Sequence, residues 1–410
     1  MAVDLARGRL KVSWATAHMP VLAGIRARFE REQPLKGLTI SGVLHVEAKT
    51  AALALALRAG GARVHLAAGN PLSTDDDAVA ALLEAGVDTK ARKGESPEEY
   101  RAGVRAMLDA DPDVLIDDGA DLVALAHAAG ATAGKIRGST EETTTGVIRL
   151  RALERSGRLR FPAINVNDAA MKHLFDNRYG CGQSVLEGIM TATNLLIAGR
   201  SAVVAGYGWS GKGIASRLRG LGADVTVVEI DPVKAIEARL EGFRVMPMLD
   251  AARHADLIVT VTGNRDIVRA EHYRVMKDGC LLANAGHFDI EVSKPDLEGL
   301  AVQRAVVRPG VEEFRFADGR RVYLLAEGRL VNLATGQGHP VEIMDLSFSL
   351  QALCAEHVAL HGAELAPKLY PVPPEIDHAV ALAALGPMGA AVDTPTEAQR
   401  KYAVSWEEGT

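Results

Sequence analysis

The stretch VVAGYGWSGKG, residues 203–213, decides how this chain folds. An apolar, β-branched run meets a glycine turn of the form G-x-G-x-x-G (Gly206, Gly208, Gly211), and SGKGIASRLRGLG continues it as a helix. In such a unit the first glycine permits a tight turn, the second lets a phosphate approach the backbone, and the third lets the helix pack on the strand. DVTVVEID follows as a second strand closed by Glu229, 23 residues past Gly206. A carboxylate there accepts hydrogen bonds from an adenosine ribose and repels a 2′-phosphate, and no arginine stands beside it. The spacing predicts a dinucleotide site that prefers NAD to NADP, with Trp209, Ser210, Lys212 and Gly213 completing the turn.

The same alternation runs outward in both directions. AIEARLEG, DLIVTVTG and CLLANAG continue it downstream, and LTISGVLHV, KTAALALALRAGG, ARVHLAAGN, DDAVAALLEAG and DVLIDDGADL repeat it from Leu38 to Leu122. Strand-helix alternation predicts α/β architecture with parallel sheets, whose ligands bind where polar residues collect at the strands' carboxyl ends. Residues 180–198 read as one long helix leading into Ser201. After Asn332 the chain reads as irregular and then helical, and KYAVSWEEGT as a short exposed tail.

At 410 residues the chain exceeds one ordinary core, so two domains are expected. It is 48% hydrophobic and 24% charged, with a net charge of −6 and no Lys/Arg block, which argues against nucleic acid or an anionic membrane as partner. The longest apolar run, residues 51–57, is too short to cross a bilayer. MAVDLARGRLKVSW has charges where a signal peptide needs an apolar core, so the cytoplasm is the expected compartment. Cys181, Cys280 and Cys354 form no C-x-x-C pair and suggest neither a disulfide framework nor a zinc site.

Five polar clusters remain: LHVEAKT (44–50), NPLSTDDD (70–77), IDDGADL (116–122), GSTEETTTGV (138–147) and INVNDAAMKHLFDN (164–177). The plain reading of each is a cap or a turn; STDDD can simply start a helix, and three threonines can be strand. Lys172 and Asp176 sit four apart, so a helix would pair them on one face, as a functional pair or as a solvated salt bridge.

Taken together, the words GSTEETTTGV, FPAINVND, FDNRYGCGQS, VVAGYG-x-x-GKG, NAGHFD and LLAEGRLVNLATGQGHP resemble the S-adenosylhomocysteine hydrolase family, from HMPVL at His18 to SWEEGT. The resemblance implies an NAD-dependent thioether hydrolase with no net redox change. Oxidation of the ribose 3′-hydroxyl makes a ketone, C4′–H becomes acidic, homocysteine thiolate leaves C5′, water adds, and the ketone is reduced again. It implies that Lys172 and Asp176 take up the 3′-hydroxyl proton, and that Glu142 accepts from the ribose hydroxyls. Asp118, His45 and His287 would move protons at C4′ and at the sulfur or water. Thr143, Thr144, Thr145 and Asn177 would reach NAD from the substrate side, Thr262, Asn264, Asn284, Ala285, Gly286, His287 and Asn332 would line the nicotinamide side, and His339 would meet the purine edge beside the cofactor. The implied plan is a substrate domain of residues 1–182 and 338–375, an inserted NAD domain of residues 183–337, and a C-terminal helical segment of residues 376–410. Crossovers near Gly182 and Gly338 would form a hinge between the two domains, and a homotetramer is implied as well.

The sequence departs from the better-known members at Glu47 and Lys49, where those carry Thr and Glu, and at Asp75, where they carry Gln. Lys234 replaces an Asn at the adenosine end, and the family's longer C-terminal arm does not appear, which implies weaker hold on NAD. Glu47, Lys49, Thr50 and Asp75 are the residues expected to read the purine. Adenine offers an amino donor at C6 and hypoxanthine a carbonyl acceptor, so a free Lys49 favours a 6-oxo purine, whereas a Lys49 paired with Glu47 or Asp75 leaves adenine preferred. Adenosine is the main expectation and inosine the alternative. Two other readings stay open: a net NAD-dependent hydroxy-acid dehydrogenase, which would accumulate reduced cofactor with product, and a catalytically silent nucleoside- or NAD-binding module.

Overall fold

A computed structural model describes residues 3–129 and 135–406. Among the described residues the strands are, in chain order, β1 Thr39–Leu44, β2 Arg63–Ala68, β3 Asp88–Lys90, β4 Val114–Asp117, β5 Gly138–Glu141, β6 Ala163–Asn165, β7 Ser201–Ala205, β8 Asp224–Val228, β9 Arg244–Val245, β10 Leu257–Thr260, β11 Cys280–Asn284, β12 Ala301–Arg308, β13 Val311–Phe316, β14 Arg321–Leu325 and β15 Leu369–Pro371.

They form two sheets of the same winding. The first is ordered β15-β6-β5-β4-β1-β2-β3 and the second β12-β13-β14-β11-β10-β7-β8-β9. Every pairing in the first sheet is parallel. The second is parallel from β9 to β14, with β13 and β12 added antiparallel at one edge. In each, the chain starts at a central strand, winds one way for two strands, then reverses. The reversal leaves a crevice at the carboxyl ends of β1 and β4 in one sheet and of β7 and β10 in the other, the places where doubly wound folds bind ligands. β1, β4, β5 and β11 are buried along their whole length, as expected of parallel strands covered on both faces by helices.

Polar residues at strand ends start the next helix. Glu47 caps the helix Ala48–Ala59, Asp75 caps Asp76–Glu84 and Thr143 caps Thr144–Arg155, each accepting from a backbone N–H of the first turn. The three threonines therefore begin a helix and are not strand. The long helix expected over residues 180–198 is shorter: the α-helix is Cys181–Thr193, entered through a π-helical segment His173–Gly180. Asn194 ends it in the left-handed conformation (φ 54°), and Leu195 and Leu196 point outward. The structure also adds elements before and between those the alternation marked: the helices Leu5–Ala17, Pro20–Glu32 and Pro97–Asp109, and the short strand β3. The tail begins within the exposed short helix Glu397–Ala403, and residues 407–410 lie outside the described ones.

Candidate active site

Two polar clusters face the crevice of the first sheet. In one, the Lys172 ammonium donates to Asn177 Oδ1 at 2.7 Å and lies 3.1 Å from Asp176 Oδ1 and 3.4 Å from Glu142 Oε1. The i,i+4 pair seen in the sequence is real, although the turn that carries it is π-helical. All three charged groups are nearly inaccessible to solvent. Asp176 is also 3.3 Å from His339 Nε2 and accepts from Ser347 Oγ, and Gln351 Nε2 donates to Glu142 Oε2. Ser347 and Gln351 belong to the helix Val341–His361, with no motif to mark them in the sequence.

Charge balance sets the protonation states. Burial works against the Lys172 ammonium, but Asp176 and Glu142 outweigh it and hold its pKa above the ordinary lysine value. Burial also opposes the Asp176 carboxylate; Lys172 and His339 overcome it and hold its pKa below the usual range. Glu142 is pushed up to about 7, mainly by burial, with Lys172 pulling the other way. His339, buried but facing Asp176 and Cys181, is raised to about 10. So Lys172 and His339 carry the positive charge, and Glu142 is the group poised to exchange a proton near neutrality.

The second cluster spans the two sheets. His45 Nε2 lies 3.3 Å from Asp118 Oδ2, and His287 Nδ1 lies 3.5 Å from Asp118 Oδ1. His45 follows β1 and Asp118 follows β4, the two strands of the first crevice, while His287 follows β11 of the second sheet. Burial lowers His45 to about 4, so its ring is neutral. Its Nδ1 sits 2.7 Å from Ser73 Oγ, and Ser73 in turn donates to the Asn70 carbonyl. Ser73 Oγ on one side and the Asp118 carboxylate on the other thus hold the ring at both nitrogens. A ring nitrogen of His45, a ring nitrogen of His287 and a carboxylate oxygen of Asp118 all lie within 4.8 Å of one another.

The glycine turn sits at the second crevice. Gly206 adopts φ 106°, open only to glycine in practice, and a Cβ on Gly211 would stand 2.0 Å from the Gly206 carbonyl oxygen. Gly208 has no heavy atom within 4 Å of its would-be Cβ, leaving the mouth of the turn clear at the start of the helix Trp209–Gly220. Glu229 closes β8 and takes the Tyr207 N–H at 2.7 Å, so the carboxylate is tied to the turn itself. Asn332, 4% exposed, leaves its Oδ1 without a partner while its amide donates to Ser184, which holds His339 Nδ1. A clear glycine turn, a ribose-type carboxylate and an orphaned buried acceptor fit a dinucleotide.

The other expected residues divide. Asn177 donates to Asn167, which donates to Thr144, so the threonine turn joins the Lys172 network. Thr262 leads an exposed loop with Asn264 and is fastened to the buried Glu291, which presses on Gly286. Asn284 is spent on backbone, donating to the carbonyls of Gly286 and Phe288 in its own loop and of Gly328 after β14. Ala285 and Gly286 follow β11 directly. Lys212 pairs with Glu237 and lies over the Trp209 ring, and Gly213 packs on the Arg178 backbone. Ser210 lies in the first turn of the helix that opens at Trp209. Lys49 pairs with Glu47 at 3.0 Å and donates to the Gln337 carbonyl at 2.8 Å; Thr50 donates to the His45 carbonyl. Asp75 is taken by Lys11 at 2.6 Å. Lys11 and the buried carboxylates Asp117, Glu141 and Glu291 carried no signal beyond their neighbours' motifs.

Comparison with known proteins gives the family. Residues 3–134 match the family model "S-adenosyl-L-homocysteine hydrolase" and residues 177–338 match "S-adenosyl-L-homocysteine hydrolase, NAD binding domain". The chain is 56% identical to the adenosylhomocysteinase of Pyrococcus abyssi over 98% of its length and 96% of that protein. It is 55% identical to the S-inosyl-L-homocysteine hydrolase of Methanopyrus kandleri, over 98% and 96% of the two chains, and 54% identical to the adenosylhomocysteinase of Aquifex aeolicus, over 98% and 97%. Among solved structures, a dipicolinate synthase chain from Bacillus halodurans overlaps 80% of this chain and 99% of its own, at 11% identity and a TM-score of 0.45, too distant to bear on the site. With two family models and near full-length relatives in agreement, the chain belongs to the S-adenosyl-L-homocysteine hydrolase family, and its cofactor is NAD.

Proposed function

We propose that this chain catalyses the reversible hydrolysis of S-adenosyl-L-homocysteine to adenosine and L-homocysteine. The observation that carries the reading is the meeting of Asp118 with His45 and His287 across the two sheets, beside the Lys172–Glu142–Asp176 cluster whose Glu142 senses the Asp118 charge. When bound, NAD supplies reversible oxidation of a secondary alcohol, here the ribose 3′-hydroxyl.

The chain's residues do the rest. The Lys172 ammonium steadies negative charge at O3′, and Glu142, near neutrality in its free state, takes the hydroxyl proton and orients the ribose. Lys172, held cationic by two carboxylates, fits the role of electrostatic partner better than that of base. Beside a 3′-ketone, C4′–H is acidic enough for Asp118 and the neutral His45 to remove. The C5′–S bond then breaks, the electron pair leaves with sulfur, and the thiolate takes a proton from His287 or His45. Water adds to the enone, its oxygen to C5′ and a proton to C4′. Thr143, Thr144, Thr145, Asn177, Thr262, Asn332, Glu229 and the glycine turn hold the cofactor in this reading.

Lys49 favours adenine here: Glu47 and the Gln337 carbonyl engage it, and Glu47 keeps an acceptor for an exocyclic amino group. The S-inosyl-L-homocysteine hydrolase name of the Methanopyrus kandleri relative keeps inosine as the second reading. Thiol release from S-adenosyl- and S-inosylhomocysteine, side by side, decides between them, and no thiol from either sinks the function.

The same reading takes residues 1–182 and 338–375 as the substrate domain around an inserted NAD domain of residues 183–337. A homotetramer suits the outward stripe Ile230, Val233, Ile236 and Leu240 and the exposed Val302, Val306 and Val307 of the edge strand β12. Three unpaired cysteines suit a reducing compartment such as the cytoplasm. No helix among the described residues is long and apolar enough to cross a membrane.

A further inference from the structure

Directly beneath the catalytic loop stand two carboxyl groups that the mechanism does not use. Asp117 and Glu141 are register partners at the ends of β4 and β5, and both are 0% exposed. Among the described residues no cation pairs with either; their partners are backbone N–H groups and the Thr143 hydroxyl. Asp117 accepts from Asp118 N at 3.0 Å and from Val123 N at 2.8 Å. Glu141 Oε1 accepts from Gly119 N at 2.9 Å and from both Thr143 N (2.9 Å) and Thr143 Oγ1 (3.0 Å). Its Oε2 has no hydrogen-bond partner. A Cβ on Gly146 would lie 2.1 Å from Glu141 Cδ, so the helix Thr144–Arg155 rests on this carboxyl group.

One side chain thus grips two functional segments. Gly119 follows Asp118, and Thr143 begins the threonine turn. Gly119 and Ala120 both have positive φ (109° and 61°), a course that Ala120 adopts only under constraint. Arg149, from that same helix, donates to the Gly119 carbonyl and pairs with Asp121. On the far side a Cβ on Gly119 would lie 2.4 Å from His287 Nε2, so the loop's placement is also felt by the second sheet.

We propose that Glu141 is a positioning residue that ties the Asp118–Gly119 loop to the threonine turn, so that the proton-transfer carboxylate and the cofactor-facing threonines are set by one buried group. This rests on the proton-transfer reading of Asp118. Burial, with Asp117 and Asp118 beside it, raises the Glu141 carboxyl well above the usual range, while Asp117 is pushed up to about 8, chiefly by burial. Acceptance at Oε1 does not need a charge, so an amide can substitute for the acid.

The test uses the full-length enzyme with NAD and three variants. Three quantities are read: NAD affinity by titration, solvent deuterium exchange at adenosine C4′ by NMR, and kcat and KM for thiol release. Glu141→Leu, which removes the acceptor, lowers NAD affinity and C4′ exchange together, by about 10–100-fold as for other supporting partners of a site, with KM moving less than kcat. Glu141→Gln restores both to within about threefold, since its amide oxygen keeps the three bonds. Gly146→Ala, which displaces the carboxyl without removing it, reproduces the paired loss and serves if Glu141→Leu does not fold. Loss of thermal stability alone in Glu141→Leu and Gly146→Ala, or loss of only one of the two functions, overturns the proposal, as does a Gln variant no better than Leu. Asp118→Asn run in parallel separates the cases: undiminished C4′ exchange in that variant refutes the proton-transfer reading itself, whatever Glu141 does.

Discussion

His287 Nδ1 lies 3.5 Å from Asp118 Oδ1, and the two residues come from different sheets. In the proposed roles, proton transfer at C4′ and at the sulfur needs groups from both sheets, whereas the Lys172–Glu142–Asp176 cluster is built within the first sheet and its neighbouring helices. The two halves of the chemistry should separate by mutation. Asp118→Asn should leave 3′-oxidation in place, visible as reduced-cofactor absorbance on adding adenosine, while thiol release falls on the order of 10²–10⁴-fold. Equal loss of both signals would count against the division.

Lys172→Met should show the opposite split, with NAD still bound but 3′-oxidation lost. It should also cost stability, because Asp176 and Glu142 lose a buried partner. One-sided removal of a buried pair costs about 3–5 kcal/mol, and the low end is expected because Glu142 can take up a proton. Denaturant unfolding measures this; a change under about 1 kcal/mol would mean the cluster is better solvated than its burial implies.

The carboxyl of Glu142 sets a pH limb. In the proposed role it must be ionised to take the 3′-hydroxyl proton, so kcat/KM should fall as pH drops through about 7. The Gln351 amide favours the charged form, so Gln351→Leu should move that limb to higher pH. A limb that stays in place assigns it to another group.

His339 makes a stability prediction of definite sign. Its folded pKa of about 10 lies above the ordinary histidine value of 6.5, so its contribution is complete below pH 6.5 and is lost as pH rises toward 10. The Tm gap between wild type and His339→Gln should be widest near pH 6 and narrow progressively to pH 10. A gap that is flat with pH would show the imidazole to be neutral.

The glycine turn separates folding from binding. Gly211→Ala places a methyl 2.0 Å from the Gly206 carbonyl and should lower Tm, because the turn must open. Gly208→Ala meets no protein atom and keeps an ordinary φ of −71°, so Tm should hold while NAD affinity drops through crowding of the phosphates. Equal NAD affinity in Gly208→Ala and wild type would move the pyrophosphate elsewhere.

Much of this was legible in the sequence because strand-helix alternation puts local polar words at strand ends, and both crevices lie there. VVAGYG with Glu229, IDDGADL, GSTEETTTGV and NAGHFD each mark one such end. What stayed hidden depends on long-range packing. Ser347 and Gln351 reach Asp176 and Glu142 from a helix more than 170 and 200 residues further on, with no local pattern to flag them. Glu141 is indistinguishable from Glu142 in sequence; the alternation of strand side chains buries one under the loop and turns the other to the crevice. Asn194 ends the helix short of the expected residue 198: it takes the left-handed conformation, and the Leu195 and Leu196 that follow it are exposed.

The central claim is bond cleavage without net oxidation, and one time course tests it: homocysteine thiol and reduced-cofactor absorbance followed together in NAD-loaded enzyme given excess S-adenosyl-L-homocysteine. Many equivalents of thiol per enzyme, with reduced cofactor never exceeding one equivalent, is the predicted result. Reduced cofactor that accumulates in step with product, or the absence of thiol from a fully loaded enzyme, would contradict it.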